Sequence, residues 1–385
     1  MFISLTKKTV CACIVLCAGA AAVIAQSDPL TEAVGRFRAA LESGDYATAD
    51  RELAGALEVS ESSGNPASAQ LAHALATIRL DLGRPADALA PATRALELAR
   101  SNPNLGVDPL AAELWVARAQ AATGNPEAAA RLSAAIGQAQ GRPDMARFVY
   151  PAAVSLAGSQ FAQGDYNGAI QSWTAVESMA DAAPSPAVAR AQALSARAAS
   201  IFLGGVDRSK GSAGEVRERA LNVRDQLEAA KRLLRGKVEE DQGDIPLDQA
   251  RQVYAETLAW ESMFQRKIQA DNITIPARDE NAREFEYSAV NSQLRLCDVR
   301  FNTDPSPLHV TTGASSGNMG AAVVEFDLDD RGRTTDKRIL ASIPAGGTYA
   351  EAISKVVDHW FASSSTGRRC VTPKRVYWTG SFLVN

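Results

Sequence analysis

Histidine is the first scarcity: the 385 residues hold three, His73, His309 and His359, in three different stretches. No carboxylate and nucleophile can be placed beside any of them, so each reads as a surface or packing residue and not as a general base. A phosphate cradle is missing too. Gly346-Gly347-Thr348 precedes a helical pattern, but no Gly-Lys-Ser/Thr follows, and Thr348 is read as the cap of that helix. Gly313-Ala314-Ser315-Ser316-Gly317 spells Gly-x-Ser-x-Gly, yet a Gly- and Ser-rich loop leading into a strand is not the strand-to-helix turn that a nucleophile elbow requires. The expectation is a protein without an enzymatic site, without a metal and without a cofactor.

Cysteine is scarce as well, and unevenly placed: of five, Cys11, Cys13 and Cys17 fall in the first 17 residues. That segment has the three parts of a secretory signal: Lys7-Lys8, an apolar run from Val10 to Ile24, and Val23-Ile24-Ala25, with side chains at −3 and −1 that permit cleavage before Gln26. The alternative is a retained anchor, since the 17 residues from Thr9 to Ala25 sit at the lower limit of about 17 for a spanning helix. Cleavage leaves Cys297 and Cys370, an even pair in an oxidising compartment, for which a disulfide is expected. Closing a loop of roughly 70 residues contributes on the order of 4 kcal/mol in the chain-entropy treatment. Two thiols without a histidine cluster cannot complete a tetrahedral metal site.

Long runs of one charge are also missing. Loss of Lys7 and Lys8 with no acid takes the net charge from −4 to −6. From residue 293 onward there are 11 basic and 9 acidic side chains, which leaves 27 against 35 for residues 26–292. The small basic group Arg368, Arg369, Lys374 and Arg375 fits a protected strand edge better than a nucleic-acid footprint, so no nucleic-acid partner is expected.

What the chain does have is periodicity. Gly44-Asp45-Tyr46, Gly83-Arg84-Pro85, Gly124-Asn125-Pro126 and Gly164-Asp165-Tyr166 recur at spacings of 39, 41 and 40, with Ala49, Ala88, Ala129 and Ala169 five residues past each glycine. A glycine permits the tight turn of a helical hairpin, and a small alanine lets the second helix approach the first. A further turn is expected at Gly204-Gly205. The pattern resembles the tetratricopeptide repeat, most closely at Leu156, Gly164, Tyr166 and Ala169, with a period about six residues longer than the usual ~34. Such repeats stack into a solenoid because none buries its apolar face alone. Two more helices are expected to cap it. Residues 215–235 have Val216, Ala220, Val223 and Leu227 on one face, and residues 246–270 carry Tyr254, Leu258 and Phe264. Gly236 to Gly243 reads as an acidic loop between them, and 271–292, with its charged run Arg278 to Glu286, as a linker.

From Gly320 the period changes to two. Ala322, Val324, Phe326 and Leu328 alternate with Val323, Glu325 and Asp327, a half-buried strand. Asp329 to Gly332 supplies a turn, and Thr334 to Ser342 a second strand with Ile339 and Ala341 on one face. Tyr349, Ile353, Val356 and Trp360 mark a helix, and Val376, Trp378, Gly380, Phe382 and Val384 a last strand. This order is similar to the C-terminal domain of the TonB family, periplasmic modules that grip outer-membrane transporters. The resemblance rests on the Asp-x-x-Gly at Asp329 to Gly332, on Ile339-Leu340-Ala341-Ser342, on Trp360, and on Val376 through Phe382. The chain departs from the family where Phe361-Ala362-Ser363 replaces the usual proline after the tryptophan, and in its lead-in, Asp304-Pro305-Ser306-Pro307. A true transducer of that family also carries a histidine in its anchor, and residues 9–25 have none.

Few strands beside one helix cannot close into a barrel, so one edge keeps unpaired N–H and C=O groups open to an extended peptide. The candidate edge is Lys374, Arg375, Val376, Tyr377, Trp378, Thr379, Gly380, Ser381 and Phe382, the segment that resembles the family's peptide-receiving strand. The sequence thus predicts a signal peptide (1–25), an all-α solenoid of tetratricopeptide-like hairpins (26–270), a charged linker (271–292) and a small β-β-α-β, TonB-like α+β domain (293–385), the two domains folding independently. Its predicted role is a periplasmic protein-interaction adaptor or scaffold, with outer-membrane transporters or envelope complexes as protein partners. The alternative is an inner-membrane TonB-like energy transducer held by residues 9–25.

Overall fold

The computed structural model of the chain describes residues 29–123, 126–139, 141–239, 247–276, 299–302, 319–328, 333–343, 348–357, 361–364 and 376–383. The expected signal, Cys297 and Cys370, Trp360, and Lys374 and Arg375 lie outside those residues, as does the linker beyond Pro276. The chain divides into two compact units between Ala193 and Leu194.

Glycine and aspartate set the rhythm of the first unit. Its helices are α1 (Pro29–Glu42), α2 (Tyr46–Ser62), α3 (Ser68–Asp81), α4 (Pro85–Ser101), α5 (Pro109–Ala121), α6 (Pro126–Ala139), α7 (Ala146–Ala162) and α8 (Tyr166–Ser178), joined as four helical hairpins. At the first turn Gly44 adopts φ +74°, its N–H donates to the Leu41 carbonyl, and the Asp45 N–H donates to the Ala40 carbonyl. The Asp45 carboxylate then accepts from the Thr48 N–H at 3.0 Å. Gly164 and Asp165 repeat this arrangement between α7 and α8, so Gly-Asp-Tyr is the stop of one helix and the start of the next. Ala49, Ala88, Ala129 and Ala169 are all buried, the close helix approach the sequence implied. Between hairpins, α3 lies beside α5, and α5 beside α7. Asp50 of α2 accepts from Arg79 Nε at 2.7 Å and from Arg84 Nη1 at 2.9 Å, which ties the first hairpin to the second.

Helix α9 (Pro186–Gly205) runs through the division between units, and Gly204 and Gly205, expected as a turn, are its last two residues. The second unit adds α10 (Ala213–Glu239) and α11 (Leu247–Ala270). Val216, Ala220, Val223 and Leu227 form the buried stripe of α10, as expected. Gly236 to Glu239 differ from expectation: they extend α10, where buried Val238 gives the helix an apolar anchor beyond the glycine.

The strands of this unit are β1 (Val299–Asn302), β2 (Met319–Leu328), β3 (Thr334–Ile343), β4 (Phe361–Ser364) and β5 (Val376–Leu383), with helix α12 (Thr348–Val357) between β3 and β4. They form a three-stranded antiparallel sheet in the order β3-β2-β5 and a separate β1-β4 pair. The expected β-β-α-β order is present with two short strands added. At four residues each, β1 and β4 carry too few side chains for a period of two to register.

Two packing features depart from the sequence reading. β2 is buried on both faces from Ala321 to Phe326, where a half-buried strand was expected. The reason is α11, which lies against β2, β3 and β5, while α12 lies against β2 and β3. Helix α11 was expected to cap the helical repeats; it belongs to the second unit and backs the sheet, so the division falls far before the expected linker. The second departure is in β3, where Ile339 is 42% exposed and Ala341 buried. A register shift between Val323 and Val324 makes Leu340 an extra residue, which puts Ile339 and Ala341 on opposite faces. Among the described residues no helix is long and apolar enough to cross a membrane.

Candidate functional site

The edges of the three-stranded sheet differ in the property that matters for strand addition, their regularity. β5 pairs with β2 in unbroken antiparallel register through eight residue pairs, from Met319 opposite Leu383 to Phe326 opposite Val376. No strand among the described residues pairs with its other side. β3, the opposite edge, breaks register twice, and Asp336 takes a left-handed φ of +48°. Bulges and charges such as Lys337 and Arg338 are how proteins blunt an edge. Lys337 Nζ also donates to the Ser354 carbonyl of α12 at 2.8 Å, and Thr334 Oγ1 to that of Val357 at 3.0 Å. The regular edge is therefore β5. Of the candidate residues, Val376 to Phe382 lie on it; Thr379, half-buried, is opposite Val323.

Around β2 stands a group of charges that the sequence did not reveal. Glu325, 2% exposed, lies with one carboxylate oxygen 3.9 Å from Arg251 Nε of α11 and the other 3.9 Å from Arg338 Nε of β3. Arg251 also stands 3.9 Å from Asp248. A charge in the central strand costs desolvation that only opposite charge around it offsets. On the same helix, the Glu256 carboxylate accepts from Gln252 Nε2 at 2.8 Å, and burial pushes its carboxyl up to about 7. A pKa raised above the unfolded value means stability that is full below about pH 4.5 and is lost as pH rises through 7. Glu256→Gln is expected to leave the melting temperature unchanged at pH 4.5 and to raise stability at pH 8 by about 3 kcal/mol. Thermal melts of both proteins across that range check it, and identical pH profiles would remove the assignment.

In the first unit the helices that meet between hairpins share a ring stack. His73 of α3 lies parallel to Trp115 of α5, with centroids 5.4 Å apart and planes at 19°. Phe148 of α7 meets both edge-on, at 5.6 Å and 5.7 Å. The Trp115 indole N–H donates to Thr77 Oγ1 at 2.5 Å. Arg118, 3% exposed, sits over the Trp115 ring at 5.3 Å, donates from Nε to Ser155 Oγ at 2.9 Å, and from Nη2 to Asp81 Oδ1 at 3.0 Å. Rings in these offset and edge-on arrangements add to the burial energy, while Arg118 links α5 to α3 by its ion pair with Asp81 and to α7 by its hydrogen bond to Ser155. The sequence placed His73 among packing residues but gave no sign of its partners, which come from helices about 40 residues apart.

Among the described residues no group of three or more His, Cys, Asp or Glu side chains is arranged to hold a metal ion. No protein-family model matches the chain, and no curated protein matches it.

Proposed function

We propose that the protein is a protein-interaction adaptor of the cell envelope that captures an extended peptide by adding it to the open edge of β5. The observation that carries this reading is the contrast between edges: β5 is in continuous register, while β3 is bulged and charged. Backbone pairing supplies affinity that does not depend on sequence, and side chains on the outer face select the peptide. The helical hairpins, whose glycine turns and buried alanines support the tetratricopeptide-like reading, are a second protein-binding framework. The order β2, β3, α12, β5 supports the TonB-like reading of the module, and with it outer-membrane transporters as partners and the periplasm as the place. No catalysis and no cofactor belong to this function.

Consecutive N–H groups of an edge strand point alternately into the sheet and out of it. Proline at Thr379 and proline at Gly380 therefore remove one N–H of each kind. One variant is expected to lose the sheet, and the other to stay folded and bind at least ten-fold more weakly. Thr379→Val and Gly380→Ala keep the backbone donors and should bind normally. The readout is photo-crosslinking to envelope polypeptides from a reactive residue at position 381, with circular dichroism to check folding. A folded proline variant that crosslinks the same partners as the original chain would place the site elsewhere.

A further inference from the structure

We propose that the ring stack joining α3, α5 and α7 is an acid-sensitive joint, in which protonation of His73 loosens the packing of the second, third and fourth hairpins on one another. The geometry is what makes the site responsive. A neutral imidazole can lie flat on Trp115 at 5.4 Å with Phe148 against its edge. His73 is half-buried, and its Nδ1 atom is itself buried with no hydrogen-bond partner among the described residues, so the Nδ1–H of an imidazolium finds no acceptor. Among the described residues the only charge that acts appreciably on the ring is the cation of Arg147 of α7, held 4.7 Å above Phe148. Arg118 of α5 sits over Trp115, and the Asp81 carboxylate of α3 is already bound to it. Other carboxylates of the adjoining helices are engaged with cations of their own: Glu113 of α5 with Arg100, Glu61 of α2 with Arg94, Glu52 with Arg36, Asp50 with Arg79 and Arg84, and Asp87 of α4 with Arg84.

Burial, with Arg147 adding to it, pushes the imidazole down from 6.5 to about 4. The sign follows: the unfolded chain takes up the proton below pH 6.5 and the folded chain resists it, so stability falls as pH drops from about 6.5 towards 4. The expected loss in the folding equilibrium from this one group is on the order of 100-fold between pH 7 and pH 4. The stack is the contact shared by three hairpins, so the loss is concentrated there.

Two measurements on the full chain test this. The first follows the ring proton signals of His73 by NMR, assigned with His73→Phe; titration near 4 is expected, and a midpoint near 6.5 would overturn the proposal. The second compares hydrogen exchange, corrected for intrinsic rates, in the original chain and in His73→Phe, which keeps an uncharged ring in the stack. Protection in residues 73–81, 109–121 and 146–162 should fall between pH 6.5 and 4 in the original chain and hold in the variant. Equal loss in both would assign the acid response to the carboxylates and end the proposal. If His73→Phe does not fold, His73→Gln takes its place, and the NMR midpoint of the original chain decides independently.

Discussion

A fragment of residues 293–385, the module as the sequence delimits it, is expected to stay molten or aggregate, whereas residues 186–385 fold cooperatively. The short fragment lacks α11, which lies against all three strands of the main sheet. Without it, one face of β2 is bare: Ala321 and Val323 meet water, and Glu325 loses Arg251 while remaining in the central strand. A buried valine or larger apolar side chain so exposed forfeits about 1.5–3 kcal/mol, and an alanine about 0.8 kcal/mol. Losses on a whole sheet face reach the total of about 5–15 kcal/mol that holds a typical domain together. The longer fragment keeps α9, whose Phe202 meets Phe264 and Trp260 of α11 edge-on at 5.8 Å and 6.5 Å. Near-ultraviolet circular dichroism and gel filtration distinguish the outcomes. A cooperative melt of 293–385 at the temperature of the longer fragment would show that α11 is dispensable.

This expectation runs against the linker that composition placed at 271–292, and the reason lies in α11 itself. Its obvious stripe of Tyr254, Leu258 and Phe264 reads as one amphipathic face. Its other buried positions include Ala250, Ala255 and Ala259, too small to announce a second contact surface. Arg251 and Ala255 are one turn apart, as are Ala255 and Ala259, and Arg251 is the member of that row placed beside the sheet, at Glu325. The turns were legible for the opposite reason: a left-handed φ leaves glycine almost without substitutes, and the caps that follow use aspartate. In β2 the alternation gave the strand but not its second buried face, because Glu325 and Asp327 look like solvent positions until a helix covers them. β3 misled where Leu340 is an extra residue between Ile339 and Ala341, so that those two no longer share a face. The last strand was legible because its side chains alternate regularly, and it pairs with β2 in unbroken register. The ring stack was not legible at all: His73, Trp115 and Phe148 acquire meaning only when the hairpins stack.

Arg251→Ala is expected to destabilise the second unit by about 3 kcal/mol, near the lower end of the roughly 3–5 kcal/mol seen when one partner of a buried pair is removed. The lower end applies because the approach is 3.9 Å, longer than a hydrogen bond, and because Arg338, with its side chain 58% exposed, stays near the same carboxylate. The informative variant is the double one. Arg251→Met with Glu325→Met removes both charges, keeps most of the volume, and leaves Arg338 free to extend into water. It should recover the loss, since well-packed apolar replacements of buried ion pairs are neutral or stabilising by about 1–4 kcal/mol. Denaturant unfolding of the original chain, both single variants and the double variant closes the cycle, and a coupling above about 1 kcal/mol is the expected result. If the double variant is as unstable as the sum of the singles, Arg251 and Glu325 act independently, and α11 is held on the sheet by its apolar contacts alone. If β5 takes up a peptide as proposed, the double variant is expected to capture it no differently from the original chain, because Arg251 and Glu325 lie on α11 and β2 and not on the outer edge of β5.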